Sequence, residues 1–301
     1  MIKLPIEQDI NNIMDDLRSF SWEASDILLH FSNLIKENKD SKNIIQFKDK
    51  NNPVTLADLR VNEKIIQRIN ENYSSNGWGI LSEENVDSDY SHPNNYSEYL
   101  WVLDPLDGTK DFIQGTGNYA MHLALNYRNK PFLGVVLIPS RDELWLSDGA
   151  KVWVEKRNGY KEEKKLTQNK SLNEMTLVTS KNHRNQLLNI LIDKIQFKEK
   201  IVMGSIGCKI ASIIRGESDI YISVCLGEVS FPKDWDFAAP EAILKAAGGR
   251  ITNLENEELE YNKINFNQSG IIVATNNKST HKDICIQIKQ IIKENDLFSL
   301  N

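Results

Sequence analysis

Trp101-Val102-Leu103-Asp104-Pro105-Leu106-Asp107-Gly108-Thr109 runs from an apolar stretch into two aspartates three residues apart, broken by a proline and closed by glycine and threonine. Residues 99–103 have the composition of a buried strand, so Asp104 falls at a strand end, where a sheet holds its carboxylate rigidly. Pro105 predicts that the ladder stops there. A turn through Leu106 then brings Asp107 back beside Asp104. Gly108 and Thr109 offer backbone N–H groups, and Thr109 a hydroxyl, to an anion. Carboxylate oxygens in this number suit Mg²⁺ or Mn²⁺ better than zinc, which prefers His and Cys. The segment thus reads either as a metal-dependent phosphate site or as an Asp-Pro turn with an Asx-type hydrogen bond.

Outward from this segment, the apolar spacing organises the chain into two halves. Ile10, Ile13, Met14, Leu17, Ala24, Ile27, Leu28, Phe31, Leu34 and Ile35 recur at three- and four-residue steps and predict one long amphipathic helix. A second helix follows Pro53, on Ala57, Val61, Ile65 and Ile69. Short strands are predicted at 79–82, 99–103, 120–126, 132–138 and 143–147, several at hairpin spacing. Residues 156–173 lose periodicity and read as a loop between a first domain, 1–165, and a second, 166–301. Beyond it, strands at 176–179, 201–203, 220–224 and 270–274 alternate with helices from Arg184, near 208–214, at 236–247 and at the end. The expected class is α/β, with an α+β first half and an α/β second half.

Composition narrows the function classes. Of the 301 residues, 42 are Asp or Glu and 36 Lys or Arg, giving a net charge of −6, with both signs interspersed. No basic face is implied, which argues against a grip on a nucleic-acid polymer. Cys208, Cys225 and Cys285 are an odd number without CxxC spacing and predict free thiols in a reducing cytoplasm. The longest apolar run, 132–138, is far too short for a transmembrane segment, and the first residues do not have the pattern of a secretion signal.

Further carboxylates stand at element ends. Glu83, in Ser82-Glu83-Glu84 after the strand at 79–82, is either a third ligand or part of an exposed acidic turn. Asp236, in Trp235-Asp236-Phe237-Ala238-Ala239-Pro240-Glu241, is either a fourth ligand or a first-turn helix carboxylate answering the N–H groups and the dipole. Asp58, in Thr55-Leu56-Ala57-Asp58, has capping-box spacing. The same carboxylate, relayed through the Thr109 hydroxyl, is placed to help deprotonate an attacking water. Gly204-Ser205-Ile206-Gly207-Cys208-Lys209 lacks Walker A spacing, yet strand-to-helix amides with Lys209 suit an anionic group. The five histidines have no ligand spacing; His183, near Lys181 and Arg184, either touches a phosphate or lies at a solvated helix start.

Four motifs, Pro53-Val54-Thr55-Leu56-Ala57-Asp58, Ile80-Leu81-Ser82-Glu83-Glu84, the Trp101 segment through Lys110-Asp111-Phe112, and Trp235-Asp236 with its sequel, occur in an order that resembles the inositol monophosphatase superfamily of lithium-sensitive, Mg²⁺-dependent phosphatases. The resemblance runs nearly end to end. Within the superfamily, Lys110-Asp111-Phe112 and the Gly204 segment look like the 3′(2′),5′-bisphosphate nucleotidases. The resemblance implies a layered αβαβα sandwich. It implies metal ligation by Glu83, Asp104, the Leu106 carbonyl, Asp107 and Asp236, with Asp58 and Thr109 as catalytic residues. It further implies substrate contacts at Gly108, Thr109, Ser180, His183, Ser205 and Lys209. Two or three Mg²⁺ ions are expected, with Mn²⁺ as a substitute and Li⁺ and Ca²⁺ as inhibitors, and a monomer or homodimer as the assembly. The implied reaction is hydrolysis of the 3′-phosphate of adenosine 3′,5′-bisphosphate, with its sulfated relative as a second substrate. The competing readings are a phosphatase of inositol or sugar phosphates and a catalytically silent nucleotide sensor.

Overall fold

The computed structural model describes residues 9–37, 45–49, 52–86, 97–180, 185–227 and 231–297. Helix α1, Ile10–Lys36, starts at Asp9, whose carboxylate accepts the Asn11 N–H at 2.9 Å. A hairpin of β1, Ile45–Asp49, and β2, Asn52–Thr55, feeds helix α2, Leu56–Tyr73. The predicted capping box is present there: the Thr55 side chain accepts the Ala57 N–H at 3.1 Å, and Asp58 accepts the Thr55 N–H at 2.8 Å.

Seven strands form the first sheet in chain order: β3 Gly79–Ser82, β4 Tyr99–Asp107, β5 Ala120–Tyr127, β6 Lys130–Ile138, β7 Glu143–Ser147, β8 Val152–Glu155 and β9 Lys161–Lys164. Only β3 and β4 run parallel among these neighbours. A short helix α3, Thr109–Ile113, follows β4. The second half builds β10 Thr176–Ser180, α4 Gln186–Ile195, β11 Glu199–Met203, α5 Ile206–Arg215, β12 Ile220–Cys225, α6 Asp234–Ala247, β13 Arg250–Asn253, β14 Gly270–Thr275 and α7 His281–Glu294. Its sheet has the order β11-β10-β12-β14-β13, with the first three strands parallel and β14 antiparallel to both neighbours.

Three buried clusters make five layers of these elements. Trp101, Leu103, Leu123 and Leu125 face α1 and α2, while Val102, Ala120, Ala124 and Val136 face α5 and α6. Successive residues of β4 therefore serve opposite cores, which is why this strand reads as a continuous apolar run rather than an alternating one. The second sheet packs one face on α5 and α6 and the other on α4 and α7. The result is an αβαβα sandwich with α5 and α6 as the central layer.

Besides the unexpected strands β1, β2, β8 and β13, two local features differ from the sequence-based expectations. The β4 ladder does not end at Asp104: Asp104 pairs with His122 and Asp107 with Ala120, so three steps on β4 match two on β5. That extra residue is a bulge, which places Pro105 where no ladder N–H is needed. In the stretch expected to be loop, β9 adds a final strand, Lys-Glu-Glu-Lys, whose charged side chains, exposed and half-buried in turn, carry no apolar alternation.

The two halves are joined near their rims by Arg215, the last residue of α5, which donates to Glu143 of β7 at 2.8 Å; their side chains are 13% and 10% exposed. Glu143 also accepts the Trp145 indole N–H at 3.0 Å. Removing Arg215 strands the buried charge of Glu143, so Arg215→Met is expected to lower the unfolding free energy by about 3 kcal/mol. Urea denaturation of the two proteins checks this; an unchanged midpoint would assign the pair no stabilising role.

Candidate active site

The ends of β3 and β4 and the start of α6 meet at the seam between the first sheet and α6. Asp104 lies at the β4 bulge and is buried, Asp107 ends the same strand, and Asp236 is the third residue of α6. Carboxylate oxygens of all three lie within 4.8 Å of one another. The bulge explains the pairing: without the extra residue, Asp104 and Asp107 would point to opposite faces of the sheet. Leu106 N–H donates to Asp104 at 3.0 Å, so the Asx-type bond and the carboxylate cluster coexist. Asp236 accepts the Lys233 N–H at 2.6 Å as a capping-box carboxylate while facing the cluster. Glu83 opens a single 3₁₀ turn after β3, and the parallel register sets Ser82 beside Leu103, one residue before Asp104.

The electrostatics record this crowding. Burial first, then the charges of Glu83, Asp107 and Asp236, push Asp104 well above the usual carboxylate range. Burial, followed by Asp107, pushes Asp236 up to about 7. Like charges held together out of water are compensated by a cation, and an all-oxygen donor set of this kind fits a hard divalent ion such as Mg²⁺.

Beside the cluster, the Thr109 hydroxyl lies 3.3 Å from Asp58 Oδ1 and 3.2 Å from the Leu106 carbonyl oxygen, both acceptors. Asp58 itself is almost fully buried, and burial raises it to about 7 even against two hydrogen bonds from Thr55. Gly108, at φ 89°, makes the turn between β4 and α3. A Cβ there would sit 2.9 Å from the Asn118 carbonyl oxygen and 3.3 Å from the Ser205 nitrogen.

The second half reaches the cluster through Asp107. Its Oδ2 accepts the Ser205 hydroxyl at 2.7 Å, the Gly207 N–H at 3.3 Å and the Ile206 N–H. Ser205 is the N-cap of α5, so a carboxylate of one half sits on the N-terminus of a helix of the other, where the dipole favours negative charge. The Gly204 segment thus meets an anion as its composition suggests, and that anion is Asp107. The Ser205 side chain is fully buried in this role. Lys209 is buried too; its ammonium donates to the Gly204 carbonyl at 2.7 Å and lies 5.3 Å from the Tyr221 ring centroid. Burial lowers its pKa against the pull of Asp107 and other nearby acids. Both side chains are buried, with Ser205 and Lys209 bonded within the chain to Asp107 and to the Gly204 carbonyl. Ser180 ends β10, and His183 lies outside the described residues.

This fold and this seam of carboxylates define a class. The family model for the inositol monophosphatase family matches residues 17–293, and the chain belongs to that family of phosphatases. It is 30% identical over 233 residues, 76% of this chain and 83% of the relative, to the 3′(2′),5′-bisphosphate nucleotidase CysQ of Buchnera aphidicola subsp. Acyrthosiphon pisum. To the CysQ nucleotidase of Escherichia coli K12 it is 27% identical over 211 residues, covering 70% of this chain and 80% of that one. Among solved structures, an inositol monophosphatase from Anabaena (Nostoc) sp. PCC 7120 superposes with a TM-score of 0.70 at 22% identity, over 94% of this chain and 97% of the other. CysQ from Bacteroides thetaiotaomicron gives 0.66 at 26% identity, over 85% and 94%. No helix among the described residues is long and apolar enough to cross a membrane.

Proposed function

We propose that this chain is a Mg²⁺-dependent phosphatase that removes the 3′-phosphate of adenosine 3′,5′-bisphosphate, with the sulfated analogue as a second substrate. The observation that carries the reading is the convergence of Asp104, Asp107 and Asp236 within 4.8 Å, next to the Thr109 and Asp58 pair. The similarity to CysQ nucleotidases supports the choice of substrate. Glu83, Asp104, the Leu106 carbonyl, Asp107 and Asp236 would hold two or three Mg²⁺ ions, which supply Lewis acidity and neutralise the phosphate. Mn²⁺ is a substitute, and Li⁺ and Ca²⁺ are inhibitors. The cysteines Cys208, Cys225 and Cys285, without CxxC spacing, suit a reducing cytoplasm.

The chain's own residues then have simple tasks. Gly108 and Thr109 bind the scissile phosphate. The Thr109 hydroxyl accepts a proton from the attacking water as it passes its own to Asp58. The water oxygen bonds to phosphorus, the P–O3′ bond breaks, and the leaving 3′ oxygen takes a proton from a solvent water. Adenosine and the 5′-phosphate extend toward Ser180 and His183. Ser205 acts through Asp107, and buried Lys209 adds positive potential beneath the bound anion.

Thr109→Val keeps the shape and deletes the relay, and is expected to lower kcat by about 10²-fold or more with little change in KM. The wild-type rate should fall as pH drops from about 7, where Asp58 takes up its proton, and bound cations would move that limb lower. A Thr109→Val enzyme with wild-type kcat would remove the relay. The function itself is tested by phosphate release from adenosine 3′,5′-bisphosphate with Mg²⁺ and its loss with EDTA. Equal or faster release from inositol phosphates would overturn the substrate, and no release from either would favour the silent sensor.

A further inference from the structure

Strand β5 carries a histidine in the middle of an apolar run. His122 stands opposite Asp104 in the register and is fully buried. Its ring lies between two oxygens from different parts of the chain. Nδ1 is 3.3 Å from the carbonyl oxygen of Trp235, the residue before Asp236. Nε2 is 3.4 Å from Asp107 Oδ2, the oxygen already held by Ser205 and the first amides of α5. Nε2 makes no hydrogen bond in this geometry, so a buried, unpartnered nitrogen is aimed at that carboxylate. The pocket is shaped to the ring: a Cβ at Gly207 would lie 2.2 Å from Nε2 and 2.8 Å from a Val136 methyl. A purely packing role is better filled by an apolar side chain, which has no buried nitrogen to satisfy.

We propose that His122 is a positioning residue for the metal site. Its ring, hydrogen-bonded to the turn that carries Asp236 and in contact with Asp107, sets the spacing of two carboxylates that come from opposite halves of the chain. Oδ2 of Asp107 is taken up by Ser205 and the α5 amides, with the His122 ring against it, which leaves Oδ1 for a cation. The inference rests on the metal-dependent reading above. Groups that orient ligands in this way change metal affinity or activity by about 10–100-fold when removed.

The test is a Mn²⁺ titration, by calorimetry or by loss of the free-ion EPR signal, on the full chain and on two variants. His122→Phe keeps the ring volume and removes both nitrogens; it is expected to weaken Mn²⁺ binding about 10–100-fold, with kcat recovered largely by excess metal. His122→Gln, whose amide reaches one of the two oxygens, is expected to lose less, about three- to tenfold. An affinity within twofold of wild type in His122→Phe overturns the role, as does a drop in the unfolding temperature of the metal-free protein with no change in Mn²⁺ affinity. If His122→Phe does not fold, the His122→Gln titration decides by the same twofold criterion. Absence of Mn²⁺ binding by the wild-type chain overturns the metal site itself, and this role with it.

Discussion

Asp107→Asn is expected to reduce kcat/KM on adenosine 3′,5′-bisphosphate by more than about 10³-fold while leaving the fold intact. The large loss follows from removing a carboxylate ligand, whose effect exceeds the 10–100-fold typical of groups that merely orient ligands. The survival of the fold follows from what Oδ2 does. Its partners are the Ser205 hydroxyl and backbone N–H groups at the start of α5, and an amide oxygen accepts from all of them. The amide nitrogen is then left facing Asp104 and Asp236, where a cation cannot use it. The metal-free variant should melt within a few degrees of the metal-free wild type, since one member of a repelling cluster has been neutralised. Retention of most activity at saturating metal would refute the ligand role of Asp107.

Chelation is expected to abolish activity and to make stability depend on pH in a defined direction. Asp58 and Asp236 are raised to about 7, and Asp104 is raised as well. Between about 4 and 7 the folded metal-free chain keeps protons that the unfolded chain releases, so its stability falls as pH rises through that window. Above it the deficit is complete. His281 works the other way: burial lowers it to about 4, so its contribution is lost as pH falls from about 6.5. That histidine bonds to Thr252 and Thr275, so its effect is the same with and without metal and cancels in the difference. The gain in unfolding temperature on adding Mg²⁺ should therefore be small at pH 5 and reach about 5 °C or more at pH 8, in line with a ligand near 100 times its Kd. Equal gains at the two pH values would separate the raised carboxylates from metal binding.

The parts legible from sequence were those with a local signature. The spacing of Ile13, Leu17, Ala24 and Leu28 defines α1, the apolar run from Tyr99 defines β4, and Thr55 with Asp58 defines the start of α2, because helix faces and caps are set by neighbours within a few residues. The αβαβα layering and the family follow from motif order. Less accessible was anything that depends on pairing across the fold. A bulge carries β4 past Pro105, a fact held in its register with β5, and β9 pairs through charged residues without an apolar pattern. His122 gives no signal by itself, since a single histidine in an apolar strand has no spacing to compare; only the convergence of Trp235, Asp107 and Gly207 around it reveals a purpose. The composition of the Gly204 turn says that an anion suits it and does not say that Asp107 reaches its helix start. The anion it meets belongs to the protein.

The contact between Asp107 and α5 also bears on how such a chain can be cut or recombined. Residues 165–171, between the sheets, look like a natural place to separate the halves, yet neither piece would carry a complete cluster. The first would hold Glu83, Asp104 and Asp107 with no helix end to receive Oδ2; the second would hold Asp236 and a capped helix with no carboxylate to receive. A chimera that exchanges the second half with a relative must therefore import Asp236, Ser205 and Gly207 together, matched to the residue at 122. The unit of exchange is set by one carboxylate's two oxygens rather than by the linker.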